Sequence, residues 1–194
     1  MAGVSLRPPS PDFGMLRRVL RGEVRPAKVR LAELLFDEEI KRAVTEEWFG
    51  EPWTPLSPET REAYWTANIR FWHRLGYDYI RVSRGLSYPK KSRTGADTAG
   101  LSRGERAWTE EGAGIIAGRE DFERYPWPTI SDIDFSRYEF VSKHLPEGMK
   151  MMVSPCAGVF ETVAESLLGF DTLSYLLADD PPLVEEIFRR VGEL

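Results

Sequence analysis

Val29-Arg30-Leu31-Ala32-Glu33-Leu34-Leu35-Phe36 is apolar at both odd and even positions except at Arg30 and Glu33. A strand wetted on one face alternates, whereas a strand covered on both faces reads as a nearly continuous apolar run, so this stretch predicts the first strand of a parallel sheet. Helical signals follow at once. Asp37-Glu38-Glu39 opens a segment with Ile40, Ala43, Val44 and Trp48 on one face, closed by Gly50 and the turn-rich residues 51–58. A second helix is expected over residues 59–75, with Tyr64, Ala67, Phe71 and Leu75 as its stripe and Gly76 as its stop.

Working outward, Tyr77-Asp78-Tyr79-Ile80-Arg81-Val82-Ser83 is rich in aromatic and β-branched residues and reads as the second strand. Residues 84–106 lack periodicity and are dense in Gly, Ser, Thr, Arg and Lys, which predicts a long loop at that strand's end. A hairpin is expected over 107–117, an aromatic and proline-stiffened connection over 121–128, and a helix over 132–144. Residues 149–154 read as a third buried strand, followed by helices over 159–168, 171–178 and 181–191, the last capped by Asp180. Upstream, Ser10 as cap, Pro11 at the first helical position and Asp12 in an acidic first turn open a short helix carrying Phe13, Leu16 and Leu20, with Gly22 as its stop. Strands alternating with helices give an α/β class, with about three parallel strands and flanking helices in a single domain: residues 1–27 lead in and 28–194 hold the first βα units.

Composition narrows the function classes. The chain has 194 residues, 42% of them hydrophobic, enough for a sizeable core. Its net charge of −5 arises from 31 acidic and 26 basic residues intermixed along the sequence, so no basic face is available for nucleic acid. The single cysteine, Cys156, excludes an intrachain disulfide, and residues 1–10 lack the apolar core of a signal peptide, so a cytoplasmic location is expected. No run approaches the roughly 18 apolar residues that a membrane span needs.

Several segments, in their order and spacing, resemble the uroporphyrinogen decarboxylase superfamily, which also contains the cobalamin-linked methyltransferases of one-carbon metabolism. They are Pro11-Asp12-Phe13 with Val19-Leu20-Arg21-Gly22-Glu23, residues 31–40, Phe71-Trp72-His73-Arg74-Leu75-Gly76-Tyr77-Asp78-Tyr79, residues 121–128, and residues 158–169 with the Asp180-Pro181 helix start. The match is closest to the decarboxylase-like members. The resemblance implies a TIM (β/α)8 barrel, a fold of typically about 250 residues, of which this chain is the N-terminal portion. It also implies a tetrapyrrole or corrinoid substrate, a corrinoid protein as possible partner, and cobalamin and zinc in the intact enzyme, with the zinc ligands in the later part of the barrel.

This sequence departs from the decarboxylases themselves at three places. Leu35-Phe36-Asp37-Glu38-Glu39 stands where they carry arginines for substrate carboxylates. Val82-Ser83-Arg84-Gly85 lacks their aspartate, and Glu165 falls near their tyrosine. Acidic groups repel a polycarboxylate, so the resemblance points to methyl transfer first and to tetrapyrrole decarboxylation second, with Arg81, Arg84 and Lys90-Lys91-Ser92-Arg93 gripping the carboxylates in that second case.

Barrel enzymes keep their chemistry at the carboxyl ends of strands and in the following loops. That rule selects Glu33 and Asp37 after the first strand, Arg81, Ser83 and Arg84 after the second, and Ser154, Cys156 and Glu161 after the third. Glu33 and Glu161 are the candidate catalytic carboxylates; Arg81, Ser83, Arg84, Asp37 and Cys156 are the candidate substrate contacts. Each has a structural alternative. Glu33 and Arg81 form a buried ion pair, Asp37 caps a helix, Glu161 and Glu165 line a solvated face, and Cys156 is a small buried hydrophobe. His73 and His144 read as structural, and no ligand spacing for a metal is present. The aromatic residues near Tyr125-Pro126-Trp127-Pro128 either line a macrocycle pocket or pack loop onto helix. A non-catalytic role is also open, since an open sheet edge can pair with a second polypeptide or a copy of this chain.

Overall fold

The computed structural model describes residues 6–83, 85–101, 104–154 and 157–194. In chain order the elements are α1 (Phe13–Leu20), α2 (Glu38–Ala43), α3 (Arg61–Arg74), β1 (Tyr79–Ser83), β2 (Ser92–Ala96), β3 (Glu105–Thr109), α4 (Arg119–Arg124), α5 (Ser136–His144), β4 (Lys150–Ser154), α6 (Val159–Glu161), α7 (Phe170–Asp179) and α8 (Pro181–Glu193). The class is mixed α/β, with a small parallel sheet and no closed barrel among the described residues. The chain divides into two compact units, Met1–Val82 with Phe135–Val153 and Ser83–Asp134 with Ser154–Leu194.

The first unit is built on β1 and β4, which pair in parallel. Tyr79, Ile80 and Val82 of β1 are buried among Leu16 of α1, Ile69, Phe71 and Trp72 of α3, Val141 of α5 and Met149. Strands covered on both faces need such apolar runs, and the prediction over 77–83 holds for that reason. A strand also forms over Lys150–Ser154, but it is not the buried strand expected, since Lys150, Met152 and Val153 are exposed. The aromatic stripe of α3 supplies one cover, with Trp72 edge-on to Tyr77 at 4.8 Å. Asp12, rather than Ser10, caps α1, its carboxylate accepting the Met15 N–H at 2.8 Å.

The expected strand over residues 29–36 does not form: this segment is neither strand nor helix. Val29 and Leu34 are 85% and 71% exposed, and Leu31 and Leu35 are exposed too. The physical reason lies in where its backbone groups bond. The N–H and carbonyl of Glu33 both go to the Tyr79 hydroxyl, and the Leu34 carbonyl accepts from the Arg81 guanidinium, so side chains of β1 take the groups that a ladder would use. Of the apolar side chains in the run, Phe36 is the one anchored, edge-on to Phe71 at 5.1 Å and to Trp72 at 5.0 Å. The parallel sheet therefore has two strands in the described residues where three were expected.

Beyond α2 the helix continues as a wider, π-type turn, Val44–Trp48, closed by the Phe49 N–H on the Val44 carbonyl at 3.2 Å. Such a turn carries one more residue than an α-turn and rotates the side chains that follow.

In the second unit β2 and β3 form an antiparallel hairpin with Ser92 opposite Thr109 and Ala96 opposite Glu105. This corrects two expectations, since most of the predicted loop and the first residues of the predicted 107–117 hairpin belong to it. The long polar stretch carried no apolar alternation because every residue of both strands except Gly95 and Thr109 is exposed. The core of this unit is Val163, Ala164, Leu167 and Leu168 against Leu183, Val184, Ile187 and Val191 of α8. Asp180 caps α8 as expected, its side chain accepting from the Leu183 N–H. After α6 the helix again widens, over Thr162–Leu167.

Candidate functional site

The first three residues of β1 and the extended segment beside it gather polar groups of the first unit. Tyr79, itself buried, directs its hydroxyl at the Glu33 backbone, accepting from the N–H and donating to the carbonyl, each at 2.7 Å. Two residues on, Arg81 shares that face of the strand by the period of two and holds the Leu34 carbonyl. The Glu33 carboxylate accepts from the Leu34 N–H at 2.7 Å. Burial, and then the charge of the nearby Glu33 carboxylate, raises the Tyr77 hydroxyl above the ordinary tyrosine range. A carboxylate, two phenols and a guanidinium thus gather at the strand, a set able to move a proton and hold an anion.

Tyr79→Phe is expected to leave both Glu33 backbone groups without their partner and to cost about 1–2 kcal/mol. Urea unfolding followed by circular dichroism measures it; a loss within error of zero would mean that the hydroxyl does not hold the segment.

Glu33 was expected inside an apolar strand with Arg81 as a possible buried partner. It is half-buried in an irregular segment. The buried ion pair of this unit is Arg30 with Asp78, whose atoms lie 2.7 Å apart and whose side chains are 11% and 2% exposed. Asp78 also accepts the Asp12 N–H at 2.7 Å, so one carboxylate oxygen ties both the start of α1 and the 30s segment to the root of β1. The criterion that selects Glu33 and Arg81, a charge inside an apolar run, applies equally to Asp78 in Tyr77-Asp78-Tyr79-Ile80.

Asp37 stands at the N-cap position of α2, where its backbone carbonyl accepts from Ile40 and Lys41 and its side chain makes no capping bond. Ser83 ends β1 half-buried. Arg84 and Cys156 lie outside the described residues. In the second unit, Glu161 is exposed in the first turn of α6 with its carboxylate folded back against Gly158, a placement that complements the helix start. Glu165 is half-buried in the widened turn that follows.

His73 is half-buried on α3, and burial lowers its pKa below the ordinary value of 6.5. His144 stacks on Phe140 with ring centroids 4.1 Å apart and its Nδ1 2.7 Å from the Phe140 carbonyl, at the end of α5. The 121–128 aromatics pack loop onto helix: Tyr125 joins the core cluster with Leu183, Val184, Ile187 and Val191 of α8, with Phe122 and Trp127 against it. Trp127 lies 4.8 Å from Tyr125 and 5.4 Å from Phe122, and the Tyr125 hydroxyl donates to the Pro89 carbonyl at 2.8 Å. Burial raises that hydroxyl well above the ordinary range. Lys90 and Arg93 of the basic stretch engage Thr109 and Glu110 across the hairpin. Among the described residues no three His, Cys, Asp or Glu side chains form a group that could hold a metal ion, and no helix is long and apolar enough to cross a membrane.

A separate cavity of about 340 Å³ lies in the first unit, lined by residues of the widened turn, the following loop and α3. Its residues, Thr45, Glu51 and Arg70 among them, sit on helices and a turn-rich loop where the sequence offered only an amphipathic pattern. No protein-family model, curated protein or solved structure matches the chain.

Proposed function

We propose that this chain is the N-terminal part of a uroporphyrinogen-decarboxylase-like (β/α)8-barrel enzyme whose intact form carries out methyl transfer involving a corrinoid. The observation that supports it most is the parallel pairing of β1 with β4, the strand arrangement from which a (β/α)8 barrel is built, with Arg81 of β1 bound to the Leu34 carbonyl next to Glu33. The choice of methyl transfer rests on the resemblance and on the acidic Asp37-Glu38-Glu39 and the aspartate-free Val82-Ser83-Arg84-Gly85 at the places where decarboxylases carry their substrate groups.

In this reading Arg81 pairs with an anionic group of the substrate, because a guanidinium offers several donors in a planar fork. Glu33, held in place through its backbone by Tyr79, takes the proton of the accepting thiol. Among the described residues no three His, Cys, Asp or Glu side chains form a group that could hold zinc, and the 340 Å³ cavity is at the small end for ligand pockets.

The test is to incubate the intact gene product with methylcobalamin and a thiol acceptor and to follow the corrinoid absorbance. Turnover of the methyl-corrinoid spectrum is expected, slowed about tenfold or more by Arg81→Gln, the size of one lost charged hydrogen bond. An unchanged spectrum overturns the reading. Loss of carboxyl groups from uroporphyrinogen under the same conditions, seen by product chromatography, would transfer the proposal to decarboxylation.

A further inference from the structure

The cavity beside α3 has properties that the barrel-enzyme reading does not use. Its wall is apolar at Phe49, Ala67 and Phe71, and its polar lining includes Thr45, Glu51 and Arg70. Thr45 is 5% exposed, and its hydroxyl is buried without a hydrogen-bond partner. Buried hydroxyls are nearly always satisfied, because an unmade bond leaves the desolvation cost uncompensated. The residue belongs to the widened turn Val44–Trp48, a distortion that recurs at functional sites.

Charge at the cavity selects the ligand class. The Glu51 carboxylate accepts from Arg70 at 2.6 Å and from Arg74 at 2.8 Å. One anion between two guanidiniums leaves a positive excess, which repels a cationic ligand and attracts an anion. Arg70 lines the cavity and spends one terminal nitrogen on Glu51, while a guanidinium has five N–H donors in all. Arg74 is stacked over the Phe49 ring at 4.0 Å, so its charge is fixed beside the apolar wall.

We propose that this cavity binds a small organic carboxylate with an apolar body, its carboxylate on Arg70 and its body against Phe49 and Phe71. The volume of about 340 Å³ suits a molecule at the lower end of the ligand range. An apolar wall beside a cationic mouth disfavours a bare inorganic anion, which would forgo the area that the wall offers.

Phenylpropionate and its neutral analogue phenylpropionamide, titrated into the full chain and followed by proton–nitrogen correlation NMR, separate the possibilities. Saturable shifts at the amides of Thr45, Phe49, Ala67 and Arg70 are expected with the carboxylate in the millimolar range or below, and about tenfold weaker binding with the amide. Arg70→Gln should weaken the carboxylate about tenfold and leave the amide unchanged. Both probes are compared on the wild-type chain, so the outcome does not depend on the variant folding. Absence of saturable shifts at those amides overturns the site, and equal binding of the two probes overturns the carboxylate as its ligand.

Discussion

Asp78→Ala should destabilise the first unit by about 3–5 kcal/mol, the cost of leaving a buried charge without its partner. Arg30 is 11% exposed and its terminal nitrogen Nη1 meets Asp78 at 2.7 Å, while its Nε is already buried without a partner. Removing the carboxylate also releases the Asp12 N–H at the start of α1. Three segments distant in sequence thus lose one shared anchor. The mechanism predicts a rescue: Asp78→Leu combined with Arg30→Met removes both charges and should recover most of the loss, because apolar replacement of a buried pair is often neutral. Urea midpoints of the single and double variants measure both effects. A single-variant loss under about 1 kcal/mol, the range of an exposed pair, would show that the pair is solvated.

Gly169→Ala should cost the second unit about 2–4 kcal/mol through two additive causes, a glycine-only backbone conformation and a clash with neighbouring backbone. Gly169 has φ +74° and ψ 154°, a region that a side chain makes costly. An added Cβ would stand 2.6 Å from the Gly112 carbonyl oxygen and 2.7 Å from the Gly114 nitrogen. Those neighbours cannot yield cheaply. Residues 111–116 run beside 167–171 through Gly114 N–H to the Leu168 carbonyl at 2.6 Å, Ile116 N–H to the Leu167 carbonyl at 2.9 Å and Phe170 N–H to the Glu111 carbonyl at 2.7 Å. Thermal unfolding followed by circular dichroism checks it; an unchanged midpoint would mean that this backbone contact can open without cost.

Most helices were legible because their signals are local. Asp180 followed by Pro181-Pro182, and the apolar stripe of Leu183, Val184, Ile187 and Val191, specify α8 without reference to anything distant. The strand over 79–83 was legible for a related reason, since its apolar run finds cover, whereas the run over 150–154 forms a strand with Met152 and Val153 exposed. The 29–36 run looked equally strand-like, but a strand also needs a partner's ladder, and that depends on what β1 presents to it. Here β1 presents the Tyr79 hydroxyl and the Arg81 guanidinium. The β2–β3 hairpin was missed because two solvated strands carry no hydrophobic period.

The candidate site was legible only in part. Arg81 and Glu33 were found as charges in apolar runs, and the structure brings the Arg81 side chain and the Glu33 backbone to adjoining groups at β1. Their expected roles as a buried pair passed instead to Arg30 and Asp78, because Asp78 sits deeper, at the root of β1, than Arg81 does. The cavity at Thr45 could not be foreseen, since it arises from a helix turn widened by one residue, a feature without a sequence signature.

Amide hydrogen exchange of residues 29–36 against those of β1 tests most directly the claim on which the site rests: that a two-stranded parallel sheet carries the polar groups and that the apolar run beside it is held by side chains alone. The structure predicts slow exchange across the buried residues of β1 and fast exchange at Val29, Leu31 and Leu35, with Glu33 slowed only by the Tyr79 hydroxyl. Uniform protection of residues 29–36 at the level of β1 would contradict this and make the run a third strand of the sheet.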